Sequence, residues 1–591
     1  MNYARGLQLA KDLIAVFVGV LLFPAPASLA QTGSDNPPGR VARISYLKGA
    51  VSFLPAGQNQ WSEATLNYIV TTGDRLYTDR GARAELEIGS YTIRLWQQTD
   101  LTVTNLNDQI MQLGLNQGSL RVSVYQLPEG NTVEIDTPNG ALKVERKGTY
   151  RADVDPNGNR TLVEVNDGKL EVTGGDASQT LESGQAALLT GNNPVQVQFV
   201  DIPDRDDFDK WSDERDDRLR SSRSAQYVNA FAAGCDDLDP YGSWRMAADY
   251  GPVWYPTVAA GWAPYRFGRW VWIDPWGWSW LEDEPWGFCP FHYGRWVLIG
   301  AAWGWLPGPI AVVPVYAPAF VAFLGGSAFR IGVGTGLVAW FPLGPVEPFF
   351  PWYHYGDTYL QQVNITNVRN TNITNVINVT NINDVHYAYK TVATTAVPAK
   401  VFSDGQPVGH HVVSLKPEQL AKAQVTPHPP ANPTSRAAAP GKPVSPPPVR
   451  PAHIAAANRI THAATRARPV PQAGRTPPQP VPRPPTTTAS ARPPVPVPSR
   501  PGPRPVPPPL ITRRPPPPSP VPFEQRQRAM MEHPGRPLEP QQIENLLLGR
   551  PVGRMLDREF PPHPAAITRQ PLPVGPPLEP VKPPKLPHWN E

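Results

Sequence analysis

Gly261-Trp-Ala-Pro-Tyr-Arg-Phe-Gly-Arg-Trp-Val271 returns 26 residues later as Gly287-Phe-Cys-Pro-Phe-His-Tyr-Gly-Arg-Trp-Val297. Each copy is followed by a Trp-Gly-Trp triplet, at residues 276–278 and 303–305. A pattern that recurs at a fixed spacing indicates that one supersecondary unit is used twice.

The stretch around these copies, residues 241–309, contains twelve of the 18 tryptophans of the chain. Glycine and proline recur every few residues, which disfavours a regular helix. Residues 269–272 and 295–298 are instead aromatic or β-branched, with Gly or Pro on either side, as is typical of short strands. Because each indole buries a large apolar area, the sequence predicts a Trp-rich β module over residues 235–356 with a core that is mostly tryptophan.

A partly exposed aromatic platform is the alternative, because flat rings can stack on a ligand. The candidate ligand-binding residues are five tryptophans, two arginines and one histidine: Trp262, Trp270, Trp278, Trp296, Trp305, Arg269, Arg295 and His292. Each arginine directly precedes a tryptophan of a repeat copy, so guanidinium–indole stacking is expected. His292 stands where the other copy has Arg266, which favours packing or hydrogen bonding over a role as general base.

Four carboxylates also lie among the tryptophans: Asp274, Glu282, Asp283 and Glu284. Paired carboxylates would suit the cleavage of a sugar chain, but three of the four cluster in what reads as a solvated turn between the copies. Fingerprints for a serine nucleophile elbow, a zinc protease, a P-loop or a dinucleotide site are absent from the sequence. We therefore predict no catalytic residue, metal or cofactor, and an envelope hydrolase is the least favoured alternative.

The chain has two cysteines, Cys235 and Cys289. An even pair in an exported protein is more often bridged than free, and Cys289 replaces Ala263 of the first copy, so the repeat itself does not require a thiol. We predict a disulfide that joins the start of the Trp-rich module to its second copy. Two buried free thiols are the alternative, and two cysteines are too few for a structural zinc site.

The N-terminus has the order of a secretory signal. Arg5 and Lys11 are followed by an apolar run over residues 13–23 and by the small residues Ser28 and Ala30. We predict a signal peptide over residues 1–30, cleavage after Ala30, a periplasmic or secreted protein, and no later membrane span. An uncleaved N-terminal anchor is the alternative.

Residues 41–191 alternate apolar and polar residues in short runs, such as 84–88 and 120–124. Turn signals separate the runs, among them Pro138-Asn-Gly140 and Asn166-Asp-Gly168. Alternation with a period of two, interrupted by a turn about every ten residues, predicts a β-sandwich or a β-roll.

An ordered series of short motifs in this region resembles FecR-type domains. The series includes Gly49-Ala-Val51, Gly73-Asp-Arg-Leu76, Gln117-Gly-Ser-Leu120, Thr137-Pro-Asn-Gly140 and Val163-Glu-Val-Asn-Asp-Gly168. FecR proteins relay a signal from an outer-membrane transporter to a sigma factor through a transmembrane helix. Since no anti-sigma segment or later span is expected here, the resemblance implies a periplasmic-type β domain without sigma-factor regulation.

The Trp-rich module carries a second resemblance. Asp237-Leu-Asp-Pro-Tyr-Gly-Ser-Trp244, Tyr250-Gly-Pro-Val-Trp-Tyr-Pro256 and Trp340-Phe-Pro-Leu-Gly344, together with the two Gly-Arg-Trp copies, look like an uncharacterised Trp-rich domain of large exported bacterial proteins. In such proteins this domain commonly follows a FecR-type domain. The resemblance implies an architecture and no activity.

Three further segments connect or follow these regions. Residues 201–228 are dense in both charges and predict an amphipathic linker helix with solvated charges. Residues 310–346 carry one charge, Arg330, but glycines and prolines interrupt every window that could span a membrane, so buried strands are expected. Residues 361–385 repeat Asn-Ile-Thr-Asn-Val, which suggests a short solenoid with Asn ladders or an extended chain.

The last part of the chain is basic and rich in proline. From residue 427 onward there are 49 of the 77 prolines, and 22 Lys and Arg stand against 8 Asp and Glu. Because such a composition cannot offset the entropy of ordering, we predict a disordered tail over residues 427–591 that contacts anionic polymers, with one helical island at residues 540–549.

These features together predict an exported, non-enzymatic binding or structural protein of the bacterial cell envelope. The expected partner is an envelope protein or a cell-wall polymer, and no nucleic acid is expected. A carbohydrate- or peptidoglycan-binding protein that uses exposed aromatic side chains is the alternative.

Overall fold

The computed structural model describes residues 36–174, 177–191, 194–325, 330–331, 335–367, 382–439, 441–448, 510–511, 517–532 and 534–552. Over these residues the protein is mainly β and contains several sheets, which confirms the predicted fold class. The predicted signal peptide, most of the Asn-rich tract and most of the predicted tail lie outside the described residues.

Seventeen strands form the N-terminal β region, residues 41–200. They are β1 (Ala42–Lys48), β2 (Val51–Leu54), β3 (Ser62–Glu63), β4 (Ile69–Val70), β5 (Arg75–Thr78), β6 (Arg83–Ile88), β7 (Tyr91–Leu95), β8 (Asp100–Leu106), β9 (Ile110–Val124), β10 (Thr132–Thr137), β11 (Gly140–Val144), β12 (Gly148–Val154), β13 (Arg160–Asp167), β14 (Lys169–Gly174), β15 (Ala177–Glu182), β16 (Gln185–Thr190) and β17 (Gln196–Val200).

The strands of this region pair in two sheets that share the 15-residue strand β9. The C-terminal half of β9 belongs to the order β4–β1–β6–β7–β9–β12–β13–β16–β17. Its N-terminal half belongs to the order β3–β2–β5–β8–β9–β10–β11–β14–β15, in which only the described pair β9–β10 is parallel. Aliphatic side chains of both sheets, such as Leu113 and Val122, are fully buried in a common core.

The rest of the described chain adds helices and eleven further strands. The helices are α1 (Asp207–Arg220), α2 (Phe288–His292), α3 (Asp357–Ile365), α4 (Ala399–Ser403), α5 (Pro417–Lys422), α6 (Phe523–Met530) and α7 (Pro540–Leu547), with short 3₁₀ turns at Ser224–Gln226, Cys235–Leu238 and Ile382–Asp384. The strands are β18 (Gly242–Ala247), β19 (Gly251–Pro256), β20 (Gly268–Ile273), β21 (Gly277–Glu282), β22 (Arg295–Ile299), β23 (Ala302–Leu306), β24 (Val321–Gly325), β25 (Arg330–Ile331), β26 (Thr335–Pro342), β27 (Thr395–Pro398) and β28 (Gln424–Thr426).

These later strands form three sheets. The first has the order β18–β19–β23–β22, the second is the hairpin β20–β21, and the third has the order β25–β26–β24–β28 with β27 also paired to β26. The third sheet confirms the strands expected within residues 310–346. In the part of the chain that the structure describes, no helix has the length and apolar character that crossing a membrane requires.

The predicted repeat is present three times rather than twice. Three hairpins, β18–β19, β20–β21 and β22–β23, each place two tryptophans opposite one another: Trp244–Trp254, Trp270–Trp280 and Trp296–Trp305. A glycine stands two residues before the tryptophan of each first strand, at positions 242, 268 and 294, which are the first residue of β18, the first residue of β20 and the residue before β22. A Cβ there would lie 2.5, 2.6 and 2.7 Å, respectively, from an atom of the opposite indole. The Gly-x-Trp pattern therefore exists because the partner indole covers the backbone of the glycine.

Helix α1 confirms the helix predicted within residues 201–228, and Asp206 caps its N-terminus in a capping box. Its apolar residues Phe208 and Trp211 are buried, and their rings lie 5.3 and 6.1 Å from the ring of Trp96. The short helix therefore packs against the outer face of the N-terminal β region.

The expectation that the charges of this helix are solvated is wrong for its inner face. Asp209 and Asp216 are buried, and their carboxylates pair with Arg121 at 3.1 Å and Arg94 at 2.6 Å. The reason is that β7 and β9 present arginines on the face that α1 covers, and buried cations require counter-charges.

Helix α3 replaces the extended chain or solenoid expected at the start of the Asn-rich tract. The amide of Asn364 donates to the backbone oxygen of Phe349 at 3.0 Å and accepts from its nitrogen at 2.8 Å. These first asparagines therefore satisfy buried backbone groups one at a time, and residues 368–381 lie outside the described residues.

Short segments of the predicted tail pack on the rest of the protein. Ala437, Phe523 and Met530 are at most 2% exposed, and Ile511 donates its backbone N–H to Glu134 at 2.7 Å. The prediction that the whole tail is disordered is therefore wrong for these segments only. They contain a few apolar side chains that pack against the rest of the protein, which the surrounding proline-rich sequence lacks.

Candidate binding surfaces

The tryptophans predicted as ligand-binding residues lie in the protein core. Trp270, Trp278, Trp296 and Trp305 are 0% exposed, and Trp262 is 9% exposed. The indole N–H groups of Trp278 and Trp305 donate to the backbone oxygens of Ala431 and Tyr293 at 2.9 and 2.8 Å. These five residues therefore form no exposed platform, because they are packed into the hydrophobic core.

The two repeat arginines differ in their surroundings. Arg295 is buried, its guanidinium lies 4.0 Å from the ring centroid of Phe320, and it donates to Asn364 at 3.3 Å. Its expected stacking on an indole is therefore replaced by stacking on a phenyl ring, and burial lowers the pKa of Arg295. Arg269 is half-buried, and burial likewise lowers its pKa, opposed by the charge of Asp283.

Among the candidate carboxylates, Glu282 is buried beside His292 and Glu284 is half-buried. The side chains of Glu282 and His292 are 0% exposed, and a Glu282 oxygen lies 3.5 Å from Nε2 of the imidazole. Nδ1 of the same ring lies 2.8 Å from the backbone oxygen of Ala317, as expected for a packing role. Glu284 accepts from the indole of Trp262 at 2.7 Å, and burial raises the pKa of Glu284 to about 7. The expectation of a solvated turn is therefore wrong for Glu282, which is buried, and only partly right for Glu284, which is half-buried.

Cys235 and Cys289 form a disulfide, with their Cα atoms 5.1 Å apart. It joins the 3₁₀ turn before the first hairpin to α2, which precedes the third hairpin. Next to it, the guanidinium of Arg43 pairs at 2.6 Å with both Glu87 and Asp237. The disulfide and these ion pairs lie where the Trp-rich module meets the N-terminal β region.

The edge strand β3 is covered by an extended piece of the chain, residues 441–444. Glu63 donates its backbone N–H to Lys442 at 2.9 Å, and Val444 donates to Trp61 at 2.9 Å. Between these bonds Pro443 stands opposite Ser62 in an antiparallel bridge. The proline thus occupies a position of the added segment whose backbone nitrogen is not needed as a donor to β3, whereas Val444 supplies the donor.

The contact at β3 is close and includes a side chain. The Gln60 amide donates to the backbone oxygen of Val444 at 2.9 Å. A Cβ at Gly441 would lie 2.2 Å from the backbone oxygen of Glu63, so only glycine fits there. The segment is therefore held by its backbone and shaped to the edge of the sheet.

Sequence reasoning missed this contact and one of the three hairpins. The 26-residue spacing of the Gly-x-Trp pattern extends back to Gly242 and could have revealed the first hairpin. Nothing comparable marks residues 441–444, because glycine and proline argue against a strand unless the strand is an addition to an edge.

Comparison with known proteins gives one family match. Residues 235–347 match a family of unknown function, DUF6600. The matched range falls within the predicted Trp-rich module and assigns no activity to it. No curated protein matches the chain.

Two solved structures are similar to a minor part of the chain. Both are crystal structures of a protein of Parabacteroides distasonis ATCC 8503 that is provisionally described as an anti-sigma factor. The structure at 1.65 Å resolution shares 16% identity over 22% of this chain and 60% of that chain, with a TM-score of 0.20. The structure at 2.50 Å resolution shares 16% identity over 26% of this chain and 61% of that chain, with a TM-score of 0.18. The similarity is weak, and this chain spans about three fifths of their length.

Proposed function

We propose that this chain is an exported, non-enzymatic binding protein of the bacterial cell envelope that holds extended, proline-rich polypeptide at the edge of its N-terminal β region. The observation that carries the proposal is the pairing of residues 442–444 with β3. Addition of a strand to a sheet edge derives its affinity mainly from backbone hydrogen bonds. Such a site accepts many sequences, provided that the donor positions are not proline.

The spacing of prolines in the chain fits this rule. In the added segment the residues at 442 and 444 take part in backbone hydrogen bonds and Pro443 between them does not. Pro494, Pro496 and Pro498 likewise alternate with valines in the sequence. A run of this kind can present every second residue to a sheet edge, so proline-rich polypeptide is the class of ligand that the edge favours.

Other features support an exported protein without catalytic activity. Cys235 and Cys289, 54 residues apart in the sequence, form a disulfide. A disulfide of this kind suits an oxidising compartment outside the cytosol. Glu282 and His292, the side chains closest to an acid–base pair among the predicted candidates, are fully buried. A polymer could reach them only after the aromatic core had opened.

Site-specific photo-crosslinking in the source bacterium tests the proposal. A photoreactive residue replaces Glu63, which is exposed beside the edge, and the matched control replaces Met246, which is 76% exposed on β18. We expect adducts from position 63 with proline-rich polypeptide, including residues 441–444 of the same chain, in the envelope fraction. The substitution Gly441→Val should shift these adducts from the chain itself to other envelope proteins.

Two results would contradict the proposal. One is recovery of the mature chain from the cytoplasm. The other is an adduct pattern at position 63 that does not differ from that at position 246.

A further inference from the structure

Helix α6 lies in a groove between the N-terminal β region and the Trp-rich module. Three of its eight side chains are buried, those of Phe523, Arg526 and Met530, at 2%, 8% and 1% exposure. Their spacing of three and seven residues places them on one face of the helix. Two apolar anchors that flank a third buried side chain are the usual pattern of a helix bound in a groove.

The walls of the groove come from different parts of the chain. They are formed by residues around 55–58 and 71–74 of the N-terminal β region, by residues 272–274 at the end of β20, and by Ala438. The helix begins with a hydrogen bond from the Phe523 N–H to the Gly57 oxygen at 3.0 Å. The side chain of Gln527 donates to the Pro433 oxygen at 2.8 Å. The helix therefore contacts the N-terminal β region and the chain segment around residue 433.

Arg526 supplies the charged contact. Its guanidinium forms an ion pair with Asp274, and its side chain is 9% exposed. The same guanidinium also lies 3.4 Å from the Ala56 oxygen. A buried cation of this kind selects strongly, because a ligand without it leaves the facing carboxylate unpaired.

A second carboxylate faces the same cation from the floor of the groove. Asp74 is 4% exposed and accepts the backbone N–H groups of Ala56 at 2.8 Å and Thr71 at 2.7 Å. Burial raises the pKa of Asp74 to about 7, while those hydrogen bonds and the charge of Arg526 act in the opposite direction. The groove thus carries negative potential at the point where the helix carries its arginine.

We propose that this groove is a receptor site for a helical peptide with an arginine between two apolar anchors, and that α6 is its tethered and exchangeable occupant. An isolated helix of eight residues is not stable in water, so the groove induces the helix that it binds. Of the five side chains of α6 that are not buried, Gln527 adds its hydrogen bond to Pro433. A second copy of this chain offers the same peptide, so exchange between copies follows from the same chemistry.

The site is separate from the β3 edge and goes beyond the function proposed above. It recognises a side-chain pattern on a helix, whereas the edge recognises the backbone of an extended chain. Loss of helix exchange would leave crosslinking at Glu63 unchanged, so the two proposals can fail independently.

Fluorescence anisotropy with a labelled synthetic peptide of residues 517–532 tests the proposal on the full-length chain. The wild-type chain should bind the peptide weakly, because its own helix competes at high effective concentration. The double substitution Phe523→Ala and Arg526→Ala should empty the groove and tighten binding by about tenfold or more. Adding Asp274→Asn should reverse that gain by about tenfold, because the arginine of the peptide loses its charged partner, whose side chain is 29% exposed.

The matched control is Arg528→Ala, which removes an exposed arginine of the same helix and should bind the peptide as the wild type does. A second measurement needs no variant: an excess of unlabelled peptide should accelerate hydrogen exchange at residues 526–530 of the wild-type chain. Equal peptide binding by the wild-type and doubly substituted chains would overturn the proposal, provided that the variant keeps its near-UV circular dichroism. If that variant does not fold, unchanged hydrogen exchange in the wild-type chain overturns it.

Discussion

The N-terminal β region and the Trp-rich module bury polar atoms in different ways. In the first, several buried charges are paired: Arg94 pairs with Glu85 at 2.7 Å and with Asp216 at 2.6 Å. In the second, the indole N–H groups of Trp270 and Trp280 are buried, and neither has a hydrogen-bond partner in the described part of the chain. One region relies on paired polar groups around an aliphatic core, and the other relies on aromatic area and a covalent link.

The difference shows what each kind of core requires. Aliphatic side chains carry no polar atom, so the polar groups of the N-terminal β region that need partners lie outside its aliphatic core, and α1 supplies several of those partners. An indole carries one donor, and dense packing of many indoles leaves some donors without acceptors, at a cost of about 1–3 kcal/mol each. The Trp-rich module tolerates this cost because each ring buries a large apolar area. Four predictions test this difference between the two regions.

The largest effect is expected in the aromatic core. Trp280→Ala removes a ring that lies 5.5 Å from Trp270, 5.8 Å from Tyr265 and 6.3 Å from Trp340. We expect a loss of about 5 kcal/mol in the free energy of unfolding, against about 3 kcal/mol for Leu113→Ala in the N-terminal β region. Urea unfolding followed by near-UV circular dichroism measures both. Equal losses of unfolding free energy for Trp280→Ala and Leu113→Ala would show that the aromatic core and the aliphatic core do not differ in this respect.

Loss of the disulfide should be nearly as large. Replacing Cys235 and Cys289 by serine opens a closed loop with a sequence separation of 54, which lowers stability by about 4 kcal/mol in the chain-entropy model. Reductant should lower the melting temperature of the wild-type chain and leave that of the double variant unchanged. A reductant effect of the same size on the variant would show that the bridge is not its cause.

Breaking one matched charge should cost somewhat less. Although burial opposes ionisation, Arg94 and Arg215 lower the pKa of Glu85 to about 2. Glu85→Gln leaves both arginines short of negative charge, and we expect a loss of about 3 kcal/mol. The control is Glu182→Gln, because that carboxylate is 49% exposed beside Arg146 and should change stability by less than about 1 kcal/mol. Chemical denaturation at pH 7 compares the two variants.

The smallest effect has the opposite sign and depends on pH. Because burial raises the pKa of Glu284 to about 7, the folded protein holds this proton more tightly than the unfolded chain does. The resulting stabilisation is present at low pH and is lost as the pH rises from the ordinary carboxyl range through 7. Glu284→Gln removes the charge and keeps an oxygen for Trp262. We expect it to stabilise the protein by about 2 kcal/mol more at pH 8 than at pH 5.

Thermal melts of the wild type and of Glu284→Gln across this pH range check the prediction. A variant with the same pH dependence as the wild type would show that Glu284 does not carry the proton. The N-terminal β region offers a matched comparison, since Glu85 has a lowered pKa and Glu85→Gln should not stabilise the protein at pH 8.

The sequence predicted the parts of this structure that depend on local pattern. Alternation in residues such as 84–88 gave strands, and Asn166-Asp-Gly168 gave the turn between β13 and β14. Tryptophan density correctly indicated a core. The position of the rings could not be read in advance, because exposure of Trp262 or Trp270 depends on which distant segments cover them.

The contacts between distant segments were beyond sequence reasoning for a physical reason. Arg526 reads as one of many basic residues in a proline-rich tail, and its burial depends on Asp274, which lies some 250 residues earlier in the chain. The charges of α1 appeared solvated because their partners, such as Arg121, project from strands that are remote in sequence. The periodicity of a sequence indicates which side chains share one face of a helix or strand. It does not indicate which distant segment packs against that face.

The three hairpins, spaced 26 residues apart, are similar enough that non-native pairing between their strands can compete with native pairing during folding. Strands with the same Gly-x-Trp pattern and the same partner geometry can be mistaken for one another, and a wrong pairing would bury nearly as much aromatic surface as the right one. The disulfide removes this ambiguity, because Cys235 precedes the first hairpin, Cys289 precedes the third, and the second has Ala263 at the matching position. The pair of cysteines thus distinguishes the first and third hairpins from the second, although all three share the Gly-x-Trp pattern.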